Sequence, residues 1–159
     1  MIISNATPLI AFARIGQMSL FQKVVGSVVI PEAVAREISE YAKNRQGVID
    51  VSQENWISIQ AVQSEQQARL LLPTLDRGEA EVITLALERQ TRLVLIDELT
   101  GRKVAESLNL NVSGSVGILI RAKQMGEIPA VKPLLDEMKR QGIYFSQRFI
   151  DAVLHQVGE

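Results

Sequence analysis

The chain has 159 residues, a formal net charge of −1, no cysteine and a single histidine, His155. That length suits one domain, residues 1–159, burying about 68–70% of its unfolded surface, while the cysteine and histidine counts exclude disulfide frameworks, iron–sulfur clusters and the usual zinc sites. The near-neutral charge gives no global pull on polyanions and an aromatic content of 4% excludes a broad base-stacking platform, so any contact with RNA must be local and made through backbone and charge.

The apolar start, Met1 to Ile10, lacks the positive leader of a signal peptide, and no stretch approaches membrane-spanning length; both point to a cytoplasmic protein with no membrane partner. Ile2-Ile3 reads as a short strand. Thr7-Pro8 then supplies an N-cap and a proline at the first helical position, predicting a helix from Pro8 to about Ile15 that Gly16 ends. A second short helix is predicted over Met18 to Val24, a strand at Val28-Val29-Ile30, and a helix opened by Pro31 whose inner face carries Val34, Ile38 and Tyr41. Gly47 breaks that pattern. Ile57, Ile59 and Ala61 alternate with Ser58 and Gln60 as in a half-buried or edge strand, and Glu65 to Leu72 reads as helical.

After Pro73, the run Asp76-Arg77-Gly78-Glu79 resembles a capping box at the head of a helix reaching about Arg89. Leu93-Val94-Leu95-Ile96 is apolar without alternation, as a central parallel strand covered on both faces requires. A helix over about Thr100 to Leu108, a strand at Asn111-Val112 and a helix from Val116 to Met125 continue the alternation. Two helices, about Pro129 to Arg140 and Gln147 to Val157, complete the chain and pack on the domain or on a partner. There is no internal repeat or low-complexity linker. The expected architecture is a three-layer α/β/α fold with a central, mostly parallel sheet.

Ligands bind such sheets in the crevice outside the carboxyl ends of the strands, which singles out Asn5 and Asp97, each directly after an apolar strand. Turning each residue by about 100° on a helical wheel places Glu79 on the face of Ile83, Ala86 and Leu87, while Glu81 and Glu88 point away with Thr84. Glu79 also lies in the first turn, where the helix dipole favours a carboxylate. On the preceding acidic helix Glu37 flanks the apolar stripe and Glu32 lies opposite. Carboxylates gathered at a crevice repel one another, and a hard cation such as Mg2+ or Mn2+ relieves that repulsion while activating water against a phosphodiester.

Four segments in order resemble the PIN-domain family. Ser4-Asn5-Ala6-Thr7-Pro8-Leu9-Ile10 is similar to the family's opening, Pro31 to Ile38 to its second acidic segment, Gly78-Glu79-Ala80-Glu81-Val82-Ile83 to its third, and Leu93 to Glu98 to the strand bearing the fourth acid. Gly101 to Ala105 and Leu110 to Leu119 resemble one prokaryotic branch of PIN-like proteins, and the likeness spans roughly residues 1 to 125. It implies a metal-dependent endoribonuclease using Mg2+ or Mn2+, with Asp97, Glu79, Glu37 and Asn5 as catalytic and metal-holding residues. Glu81 and Glu98 are secondary acidic candidates; Thr7, Ser115 and Arg102 are candidates for water or phosphate contacts. It also implies RNA as substrate, a toxin–antitoxin setting with a small antitoxin protein as partner, and a homodimer. Asn5 stands where the family usually has its first aspartate, so the site carries one negative charge fewer.

Plainer readings stand beside these. Asn5 can serve as a turn residue bonded to nearby backbone, Glu79 as the capping partner of Asp76, Glu81 as a surface charge, Glu98 as helix-start charge and Ser115 as a cap in the strand-to-helix turn at Gly114. Arg77, Arg102, Lys103, Arg121 and Lys123 become phosphate contacts only if they gather at the sheet's carboxyl edge. His155 and the stripe Phe149, Ile150, Val153, Leu154 and Val157 read as surface and packing. Two other functions compete: a PIN-like module that has lost catalysis and binds RNA or a protein, and a receiver-like phosphoacceptor, for which Asn5 and the Asn111 to Ser115 segment lack the paired acids and the lysine.

Overall fold

In the computed structural model, which describes residues 1–45 and 49–159, five parallel strands form a single sheet in the order β3-β2-β1-β4-β5: β1 (Ile2–Ser4), β2 (Val28–Pro31), β3 (Ile57–Gln60), β4 (Leu93–Leu95) and β5 (Asn111–Ser113). The break predicted at Gly47 lies outside the described residues. The first strand is the central one, with Ile3 opposite Val29 on one side and Ser4 opposite Leu95 on the other. The chain leaves β1 toward β2 and β3, then crosses to β4 and β5. The point of reversal therefore falls between β1 and β4, and there the loops diverge to open a crevice.

Among the described residues the helices are α1 (Ala6–Arg14), α2 (Met18–Val25), α3 (Glu32–Ala42), α4 (Glu65–Leu71), α5 (Arg77–Arg89), α6 (Leu99–Ser107), α7 (Ser115–Gln124), α8 (Lys132–Arg140) and α9 (Gln147–Gln156). They cover both faces of the sheet, giving the three-layer α/β/α fold expected from the alternation of elements. Helix α5 packs on β1, β2 and β4 and is flanked by α3 and α4, while α1, α2 and α7 pack together. Burial follows the pattern of a doubly covered sheet: Ile3, Ile30, Val94 and Ile96 are fully enclosed, and Phe12 meets the edge of Phe21 at 5.4 Å. Apolar residues of α8 and α9, including Leu135, Met138, Ile150 and Val153, join the same core. No helix among the described residues is long and apolar enough to cross a membrane.

Several local expectations shift. Helix α1 starts at Ala6 with Asn5 in the N-cap position, so Thr7 lies inside the first turn and does not cap it. Pro31 closes β2 and caps α3 rather than opening the helix. Helix α8 begins at Lys132, with Pro133 in its first turn; Pro129 stays outside, and the side chain of Glu159 accepts the amides of Val131 and Lys132 instead. β3 is the edge strand anticipated, though Ile59 at 49% exposure lies on an uncovered part of it.

The crevice at the carboxyl edge of β1 and β4

Asn5 leaves β1 with its amide bonded to the carbonyl of Leu95, 2.9 Å away, which ties the crevice's first residue to the end of β4. Its backbone is extended, and the capping bond that its side chain would ordinarily accept is not made. Oδ1 is instead buried without a partner in a residue only 5% exposed, so the turn-residue reading lacks the hydrogen bond that would explain it.

Glu79 divides its two oxygens. Oε1 accepts the Asp76 amide at 3.2 Å while Asp76 Oδ1 accepts the Glu79 amide at 2.8 Å, the reciprocal capping box that the sequence pattern announces. Oε2 is left buried and unpartnered. Loss of water pushes the Glu79 carboxyl up to about 7, against a lowering by the Asp76 backbone and with help from the charges of Asp76 and Glu98. Glu98 faces it from the N-cap of α6, where the Gly101 amide at 3.0 Å holds its carboxylate below the usual range. Its role as helix-start charge is thus visible in the hydrogen bond.

Glu37, exposed on α3, borders a cleft of about 570 Å³ lined also by Arg36, Asp76, Arg77 and Gly78. Its carboxyl is raised by partial loss of water and then by the charge of Asp76. Asp97 forms a separate group. Both of its oxygens accept from Ser115, Oδ1 from the amide at 2.6 Å and Oδ2 from the hydroxyl at 2.5 Å. Desolvation raises the Asp97 carboxyl, and the Ser115 bonds and the Arg102 charge oppose that rise. An acid after an apolar strand has a structural task here, because it holds the first turn of α7, whose N-cap Gly114 has no side chain to do so. Ser115 is the first residue of α7 rather than its cap.

Arg102 donates to the Ile96 carbonyl at 2.9 Å and stays beside Asp97. Thr7 is exposed on α1. Two other expectations fail. Glu81, assigned to the surface, is 3% exposed, accepts the Ala33 amide at 3.1 Å and pairs with Arg77 at 2.7 Å; Thr84 is likewise enclosed. The wheel assumes one buried face, whereas α5 has neighbours on every side. Arg77 is consequently spent on Glu81 and Glu65, and Lys123 on Glu159, so neither is free for phosphate.

Sequence reasoning left Asp76 as a cap and passed over Arg36. Three glycines pack on site side chains, a contact that neither the turn expected at Gly114 nor the motifs at Gly78 and Gly101 by themselves reveal: a Cβ on Gly78 would stand 3.1 Å from Asn5 Oδ1, one on Gly101 2.5 Å from Glu79 Oε2, and one on Gly114 would collide with Asp97 Oδ1. The D-x-G-E spacing was the signal available for the first. Among the described residues no three His, Asp or Glu side chains stand close enough to hold an ion by themselves.

The crevice thus gathers Asn5, Asp76, Glu79 and Glu98 near the start of α5, Glu37 across the cleft, and Asp97 with Ser115 and Arg102 at the start of α7. No curated protein and no solved structure matches this chain at a significant level. A family model described as a PIN domain matches residues 1–159, and with the all-parallel sheet and the polar crevice at its carboxyl edge, it places the chain in the PIN-domain family.

Proposed function

We propose that the protein is a Mg2+- or Mn2+-dependent endoribonuclease of the PIN type, working at the crevice through Asn5, Glu37, Glu79 and Asp97. The observation that carries this reading is the pair of buried, unpartnered oxygens there, Asn5 Oδ1 and Glu79 Oε2. A buried carboxylate oxygen without a donor is costly, and in a site built only of oxygen ligands a hard divalent cation is the partner that fits. When bound, the ion supplies an activated water and stabilises charge on the phosphoryl oxygens.

The chain's own groups have distinct tasks. Asn5 and Glu79 offer ligand oxygens from the wall of the crevice, and Glu37 adds negative charge from the far side. Asp97, fixed by Ser115, sets the position of the α7 N-terminus, whose amides favour an anion such as a phosphate. Arg102, held beside Asp97, offers a cation to the same phosphate. The wider setting we propose is a toxin paired with a small antitoxin protein, acting in the cytoplasm as a homodimer.

The test is cleavage of a mixed single-stranded RNA panel with Mg2+ or Mn2+, comparing the protein with Asp97→Asn and Glu79→Gln variants of equal purity. Metal-dependent cleavage that both variants lose supports the proposal, and equal activity in all three proteins sinks it. A second reading, a PIN-like module that binds RNA or a protein without cutting, is favoured by the missing charge at Asn5 and by Asp97 oxygens already engaged with Ser115. Metal-independent RNA binding without cleavage would select it.

A further inference from the structure

Asp76 is exposed, and its capping bond uses Oδ1 alone. The bare α-carbon of Gly78 faces a small space shared by two oxygens, since a Cβ placed there would lie 3.1 Å from Asn5 Oδ1 and 3.6 Å from Asp76 Oδ1, with Val34 Cγ2 at 3.6 Å closing the α3 side. Asn5 Oδ1 is the buried oxygen that lacks a donor. Glu37, Asp76 and Gly78 line one cleft, and the buried Asn5 Oδ1 lies directly behind Gly78. Both Glu37 and Glu79 feel the Asp76 charge. On the β4 side, by contrast, both Asp97 oxygens already accept from Ser115.

We infer that Asp76 is a further cation-holding residue, joining Asn5 Oδ1 and Glu37 around the open face of Gly78. The inference rests on the divalent-cation reading above and deepens it. A hard cation prefers carboxylate and amide oxygens, and the missing side chain at position 78 leaves it room to approach. Asp76 thereby restores at the head of α5 the charge that Asn5 lacks at the end of β1.

The test measures Mn2+ binding directly, by loss of the free-ion signal in electron paramagnetic resonance, on the whole chain and three variants. Asp76→Asn keeps an equally good N-cap, so apo melting should be preserved while Mn2+ affinity falls about tenfold or more. Gly78→Ala adds a methyl 3.1 Å from Asn5 Oδ1, tighter than an ordinary contact, so affinity should fall, with the melting temperature lowered to the extent that the buried Asn5 must move. Glu40→Gln removes a charge from the same cleft at a residue that is not among the nearest neighbours of Gly78, and should leave affinity unchanged. Wild-type binding that Asp76→Asn and Gly78→Ala leave intact, or a loss in Glu40→Gln equal to that in Asp76→Asn, overturns this inference alone. No Mn2+ binding by the wild-type chain overturns the cation reading itself, and this inference with it.

Discussion

Glu79 shows how one side chain can stabilise a helix with one oxygen and leave the other buried without a partner. Its carboxyl titrates at about 7 rather than near 4.5, so between those values the folded chain holds a proton that the unfolded chain has released. Stability without divalent ions should therefore fall as pH rises through that window, by on the order of 3 kcal/mol. Glu79→Gln keeps the capping box, since glutamine serves equally at that position. In chelator its melting temperature should change little between pH 5 and pH 8 and should exceed the wild type at pH 8; a parallel fall in both proteins would place the titration elsewhere. Asp97→Ala acts in the opposite sense. It strands the amide and hydroxyl of Ser115, which is fully buried, and should cost about 1–3 kcal/mol in urea denaturation, with Asp97→Asn costing less. Glu79 and Asp97 were legible as crevice residues from the wheel and from the end of an apolar strand. Their hydrogen bonds were not, because the partners of Asp97 lie 18 residues away in sequence.

At the scale of elements, α5 organises the crevice. Its N-cap is Asp76, its first turn carries Gly78 and Glu79, and Glu81 further on reaches across to the Ala33 amide at the start of α3. That helix begins on Pro31, which offers no side-chain cap, so Glu81 supplies the acceptor from a neighbouring element. Glu81→Ala should destabilise the fold by roughly 2 kcal/mol and weaken RNA cleavage indirectly, through movement of α3 and Glu37, whereas a surface change such as Glu106→Ala should do neither. Thermal unfolding beside a cleavage assay separates the two effects. The sequence pattern located the strands and helices well because strand runs and capping signals are local. It misplaced the starts of α1 and α8, where proline suggests a boundary but the tie to Leu95 or to Glu159 decides it. It also misread Glu81, since periodicity records one buried face and α5 is enclosed all round.

For the whole molecule, a net charge of −1 means that RNA is not drawn in from a distance. The cations at the crevice, Arg36 and Arg102, allow few phosphate contacts, because Arg77 and Lys123 are committed to carboxylates. Binding of single-stranded RNA should consequently weaken only gently with salt, with a log–log slope no steeper than about −2. A slope near −5 would require more phosphate contacts than Arg36 and Arg102 can make. The order of the strands has a consequence in time. Synthesis runs from β1 onward, yet β1 lies at the centre of the sheet and needs β4 for its second edge, and Asn5 hangs from Leu95. A nascent chain that has released only its first three strands owns three of the five strands and no crevice. The crevice is complete only once the segment from Leu93 to Ser115 has cleared the exit tunnel, so the site is the last part of the sheet's carboxyl edge to be assembled during synthesis.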